Sequence, residues 1–284
     1  MVDPTLALTS AIDKATEVAN TPLFTTVIDR LTGFKISQWS AEGEVRKKMI
    51  HDEYEKAKNN GIAGVQFVAS LRSVTNLIDI ATKSAKHVDP KKTNEIKMDN
   101  DFFWNTLEHT KSVSNEEMQE LIAKIIAGEY NTPGKYSMST LQVIKMLGKS
   151  ELELFEKVCS LLLNSNEIPQ SLFSCPENGK ELLIELGIDF GSLQLLQSLG
   201  LFLPNSMSRS LQNPEKKTFA LTYFHQQVLF APASEHYLIL KMPDCFGLSV
   251  TGQQILNHLN PQFNEKYFAW IKRNYRIPHY KIAE

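Results

Sequence analysis

The side chains best suited to chemistry in this sequence lie in "RKKMIH", where Arg46 and His51 stand five positions apart. On a helix such a pair can work together, the guanidinium neutralising a phosphate oxygen while the imidazole moves a proton. The same stretch reads as a solvated helix face. Glu42/Arg46, Glu44/Lys48 and Asp52/Lys56 are acid-before-base pairs four residues apart, the order that supports an exposed helix. Because so short a spacing arises often by accident, the surface reading is the expected one, and Arg46 and His51 remain weak catalytic candidates.

Other chemistries lack their residues. His87, His109, His225, His236, His258 and His279 form neither HxxxH nor HxH, so no metal site is expected. "NEIK" at 94–97 has the Glu-x-Lys of a nuclease but sits in a polar linker. GxxxxGK[ST], GxGxxG and GxSxG are all missing, which removes the motif basis for ATPase, dinucleotide and hydrolase readings, and no cofactor is expected. Cys159, Cys175 and Cys245 are far apart and never form CxxC, a usage that fits a reducing cytoplasm. Residues 1–200 carry 21 Lys/Arg against 27 Asp/Glu, and residues 201–284 carry 9 against 5. On that basic end, Arg209, Lys216, Lys217, Lys272, Arg273 and Arg276 are the candidates to meet an anion.

The elements that would position these groups are mostly helical. Asp3-Pro4 and Thr21-Pro22 open helices, and "NNG" at 59–61 closes the charged one. "GIAGVQFVASLRSVTNLIDIA" carries Arg72 and Asp79, so it is expected to be a buried core helix rather than a membrane span. The first twenty residues have no basic region and are read as neither signal peptide nor span. Asn100 or Asp101 is expected to cap a helix that puts Phe102, Phe103, Trp104 and Leu107 into one core cluster, and Ser150 with Glu153 to cap "ELELFEKVCSLLL".

No strand is expected before residue 165. "NSNEIPQSLFSCPEN" loses helical periodicity and is taken as a boundary near 164–176. Beyond it, "ELLIELG" and "FGSLQLLQSLGLFL" read as helices, and "TFALTYF", "QVLFAP" and "HYLILKMP" as strands. "LSVTGQQILNHL" and "NEKYFAWIKRNY" return to helix, the second capped by Asn264. The expected fold is therefore mainly α, with a helical domain over 1–165 and a winged-helix-like α+β domain over 166–284.

The most patterned stretch is "SNEEMQELIAKIIAGEYNTPGKYSMSTLQVIKML", two amphipathic helices joined by an elbow. Ser114 with Glu117 is read as a capping box. Met118, Leu121, Ile122, Ile125 and Ile126 form an apolar stripe, and Ala123 and Ala127 permit close approach. Gly128 should bend or end the helix, Pro133-Gly134 should turn the chain, and Ser137 should cap the next helix. Glu129 and Asn131 are the groups expected to tie the turn together.

This stretch resembles the signature of an uncharacterised bacterial domain family, S-x-EEMQ-x-L-W-A-x-I-L-AGE followed by PG, an aromatic, S and T-L. The abortive-infection alpha proteins are similar at a greater distance. Weaker echoes are "LQSLGLF" and "LSVTGQQIL". Ile122 stands where that signature has tryptophan, and Ser139 where it has arginine. The resemblance implies a mostly helical cytoplasmic protein connected with phage defence, and it brings no catalytic residues.

The expected function is accordingly a non-enzymatic interaction or sensor component of such defence. It would form homo-oligomers and meet a protein partner such as a phage component. Two alternatives stand beside it. Arg46 and His51 resemble the Arg-x4-His motif of the HEPN ribonucleases, and a winged-helix-like domain could bind nucleic acid without sequence preference. The near absence of charge in "FGSLQLLQSLG" argues against sequence-specific DNA reading.

Overall fold

Helix α1, Gly61–Lys86, is apolar in pattern yet buries only its later part. Leu71, Leu77, Ile78, Ile80, Ala81 and Ala85 are buried, whereas Ile62 and Val65 are 79% and 72% exposed. In the computed structural model the described residues are 10–11, 51–52, 54–57, 61–89, 91, 99–165, 168–174, 179–204, 210–212, 218–233, 239–241, 245–277 and 279–283. They fall in two compact units, Met1–Lys145 and Met146–Glu284. None of the described helices is long and apolar enough to cross a membrane. Of the helices expected over residues 5–40, only Ser10 and Ala11 are among the described residues, and both are helical.

In the first unit, α2 is Asn100–Thr110, α3 Glu116–Asn131 and α4 Met138–Met146. The polar residues inside the α1 run are anchors. Arg72 Nε donates to Ser114 Oγ at 3.0 Å, Asn76 Nδ2 to Lys111 O at 2.9 Å, and Lys83 Nζ to Gln119 Oε1 at 2.7 Å. Buried Thr75 and Ser84 donate to carbonyls one turn back, so these hydroxyls are satisfied without leaving the helix.

Three of the expected details are displaced. Asp99, not Asn100 or Asp101, caps α2 by accepting from Phe102 N at 2.8 Å. Asn115 caps α3 by accepting from Met118 N at 3.0 Å, and Ser114 is taken by Arg72 instead of pairing with Glu117. Trp104 leaves the cluster of Phe102, Phe103 and Leu107 and is 46% exposed. At 100° per residue it cannot share their face, and it meets Phe103 only edge-on at 5.4 Å.

The second unit mixes helices α5 (Lys149–Cys159), α6 (Lys180–Glu185), α7 (Phe190–Ser198), α8 (Val250–Leu256) and α9 (Glu265–Asn274) with strands. These are β1 (Leu162–Ser165), β2 (Ile168–Ser174), β3 (Ser210–Gln212), β4 (Phe219–Tyr223), β5 (Gln226–Pro232), β6 (Ile239–Lys241), β7 (Cys245–Gly247) and β8 (Tyr280–Ile282). Six form one antiparallel sheet in the order β7-β2-β1-β4-β5-β8, and β3 pairs with β6. The fold is thus mixed, with a large helical part and a substantial sheet.

Around the expected boundary at 164–176 the chain forms β1 and β2, which are neighbours inside the six-stranded sheet, and the two contact units meet at Lys145/Met146. The run "LLL", expected to end the helix of "ELELFEKVCSLLL", instead enters β1 at Leu162; a short apolar run fits a helix end and a buried strand equally. The start of helix α5 is capped by Glu151, whose Oε2 accepts from Gly148 N at 3.0 Å; Glu153 instead faces Lys149 at 3.5 Å. Tyr223 locks the sheet to α9. Its hydroxyl donates to Ser160 O at 2.6 Å and accepts from Asn264 N at 3.0 Å, while Asn264 caps α9 through Tyr267 N.

Candidate functional site

The elbow after α3 is built from Gly128, Glu129, Gly134, Tyr136 and Ser137. Glu129 is only 2% exposed, and its carboxylate faces back into the turn. Oε1 accepts from Gly134 N at 2.6 Å and Oε2 from Tyr136 N at 3.0 Å. Two charge-assisted bonds therefore fix a turn that no regular ladder holds. Gly134 adopts φ +79°, where an L side chain is strained. Gly128 leaves room for Tyr136, whose hydroxyl would lie 2.5 Å from an added Cβ. Burial and then the Glu129 carboxylate push the Tyr136 phenol up to about 12. Ser137 Oγ accepts from Thr140 N at 3.2 Å, capping α4. Asn131 reaches α1's end, accepting from Asp89 N and donating to His87 O.

Every group in this arrangement is occupied by the backbone it holds. Pro133 is exposed in the turn, and Glu117 is exposed in the first turn of α3, at the other end of that helix. The departure at Ile122 lies in the core, at 1% exposure, and that at Ser139 lies on the surface. The elbow is a device for setting the α3–α4 angle, and its geometry offers no reacting group.

The stretches "LQSLGLF" and "LSVTGQQIL" meet in the second unit. Ser249 Oγ donates to Gly200 O at 2.6 Å and Ser249 N to Leu201 O at 3.0 Å, while Ser249 Oγ also accepts from Gly252 N. A Cβ on Gly252 would lie 2.1 Å from Leu201 O, so only glycine allows α8 this close to the chain leaving α7. Here too the contacts secure packing.

Chemistry open to a ligand lies elsewhere. A cavity of about 360 Å³ opens between the end of α9, β5 and β8, lined by Phe230, Lys272, Arg273, Tyr275, Arg276, Tyr280, Lys281 and Ile282. Its size is within the usual range for small-molecule sites. The floor is Phe230, Tyr275 and Tyr280, at 1%, 0% and 7% exposure. Tyr275 Oη donates to Ser174 Oγ at 3.0 Å, and its phenol is driven upward by burial and then by Cys245. Four cations ring the opening, and no carboxylate among the described residues pairs with any of them. Arg276 Nη1 donates to Tyr275 O at 3.0 Å, and Lys272 Nζ lies 4.8 Å from the Phe268 ring centre.

Of the basic candidates, Lys272, Arg273 and Arg276 come together here, whereas Arg209, Lys216 and Lys217 lie outside the described residues. Arg46 is also outside them, and His51 is helical and exposed. Lys281 was missed, although the alternation in "YKI" could have marked a strand with one outward cation. Among the described residues no three His, Cys, Asp or Glu side chains gather as metal ligands.

The fold and site define a mixed helical and antiparallel-sheet protein with a basic, aromatic-floored pocket in its second unit. A family described as a protein of unknown function, DUF2806, matches residues 67–272, and the chain belongs to that family. The match spans the elbow, the α7–α8 junction and nearly all of α9. No curated protein and no solved structure matches the chain.

Proposed function

We propose that this is an anion-binding interaction protein, with the α9–β8 pocket as its binding surface and anti-phage defence as its setting. The observation that carries the reading is the set of four cations, Lys272, Arg273, Arg276 and Lys281, around one cavity without a neutralising carboxylate among the described residues. Like charges held together without counter-charge favour an anionic ligand. The abortive-infection resemblance supports the setting. Two short helices, α6 and α7, precede β3 and the β4–β5 hairpin, an order compatible with a winged-helix-like module, which supports a contact role for this unit. Exposed Ile62 and Val65 on α1 support the homo-oligomer part of the reading, and light scattering that finds only monomer would remove it.

The test is calorimetric titration with inorganic tripolyphosphate. The wild-type chain should bind, and Arg273→Gln combined with Lys281→Gln should weaken binding by about tenfold or more while preserving the melting temperature. Equal affinity in the two proteins would end the proposal. The rival ribonuclease reading requires Arg46 and His51 in one cleft, so that alanine at either abolishes RNA cleavage. The binding reading expects no cleavage from the wild-type chain.

A further inference from the structure

The pocket continues into a row of aromatic rings, and the geometry points to a single-stranded nucleic acid as the anion. This inference rests on the anion-binding reading and adds the class of ligand. Beyond the four cations, Lys272 Nζ lies over Phe268. From there the rings step to Phe263, 5.5 Å away, and then to Phe224 and His225, 5.7 and 5.6 Å from Phe263. Lys272 thus belongs to both the charged pocket and the aromatic row. Proteins that bind single strands without sequence preference use this pairing, cations along the backbone and aromatic faces under the bases, with sites of about 4–16 nucleotides in the domains best characterised.

The end of the row carries an independent sign of use. β4 and β5 pair through Tyr223 and Gln226, so Phe224-His225 is a two-residue hairpin loop. Phe224 sits there at φ 51°, in the left-handed region that such loops normally fill with glycine, asparagine or aspartate. A bulky residue at positive φ is an outlier, and outliers of this kind concentrate where a site needs a particular side chain. Phe224 is 39% exposed and His225 is exposed beside it. The loop holds two ring systems at the surface, at the far end of the row from the pocket.

A duplex keeps its base faces stacked and would meet only the cations. A strand of a few nucleotides could place phosphates at Arg273, Arg276 and Lys281 and lay a base on Phe224 and His225. Its sequence preference would be small, because every base offers a π-face.

The experiment is fluorescence anisotropy on the full chain. It uses labelled oligothymidylate, an abasic strand of equal length, and a duplex. The wild-type chain should bind oligothymidylate at least about tenfold more tightly than the abasic strand. Phe224→Gly should erase most of that advantage and leave abasic binding unchanged, since glycine accepts the positive φ and frees the turn from strain. Should that variant melt early, His225→Ala, at an exposed position, gives the same reading. Equal wild-type affinity for the two strands would overturn the inference while the anion reading stands. So would binding of tripolyphosphate with neither strand bound. Failure of all three probes would overturn both.

Discussion

Replacing Gly128 by alanine sets two effects of opposite sign against each other. In an exposed helix interior the change gains about 1 kcal/mol, because glycine is the poorer helix former. In α3 the new methyl would meet Tyr136 at 2.5 Å from its hydroxyl, 2.9 Å from Cε2 and 3.1 Å from Cζ. The ring has little freedom to move aside, since Tyr136 is 5% exposed and its backbone N–H is held by Glu129. Overpacking of this kind costs about 1–3 kcal/mol, and three close contacts place this case in the upper part of that range. The net expectation is a loss of about 1–2 kcal/mol. With a urea slope of roughly 1–3 kcal/mol per molar, the midpoint for this unit should fall by about half to one molar, followed through hydrogen exchange at the Tyr136 amide. Tyr136→Phe removes the nearest atom, so Gly128→Ala should cost less in that background, with a coupling of about 0.5 kcal/mol or more. A stabilised Gly128→Ala protein, or strict additivity with Tyr136→Phe, would refute the packing argument.

Three further outcomes follow from the same geometry. Glu129→Gln keeps one acceptor but turns an amide toward a backbone N–H, so it should cost about 1–3 kcal/mol and speed exchange at Gly134 and Tyr136; unchanged exchange would contradict the role given to Glu129. Gly252→Ala places a methyl 2.1 Å from the Leu201 carbonyl oxygen, which no rotamer can relieve, and should destabilise the second unit by about 3 kcal/mol or more, read from Trp270 emission during unfolding. His109 has its pKa lowered by burial and then by Lys145, so the folded state favours the neutral ring. Its contribution is present above the unfolded value of 6.5 and is lost as pH falls toward the lower folded value. The first unit should weaken on acidification below about 6.5, and His109→Gln should flatten that dependence; an identical pH profile for the variant would exclude it.

Local patterns were legible where one interaction decides the outcome. The Pro133-Gly134 turn, the Ser137 and Asn264 caps and the existence of strands β4 and β5 all follow from side chains acting within a few residues. What could not be read was decided by distant partners. Ser114 looks like a cap until Arg72 arrives from α1. Leu162 and Leu163 of "LLL" become strand because β2 and β4 lie on either side of β1. The pocket was half visible: Lys272, Arg273 and Arg276 share one stretch of sequence. Lys281 joins them only because β8 pairs with β5, through Ile282 and Phe230. The aromatic row was hidden for the same reason, since Phe224 and Phe263 meet only through Tyr223 and the cap of α9.

The elbow residues hold the fold, while the α9–β8 cations are the groups proposed to carry binding. The salt dependence of oligothymidylate affinity tests that division of roles most directly. Each cation that neutralises a phosphate of a single strand contributes about 0.7 to the slope of log affinity against log salt, so four should give a slope of roughly −3. Arg273→Gln and Lys281→Gln should each reduce its magnitude by about 0.7, whereas Glu129→Gln should leave it unchanged. A slope near zero for the wild-type chain, or one that neither cation variant alters, would contradict the account.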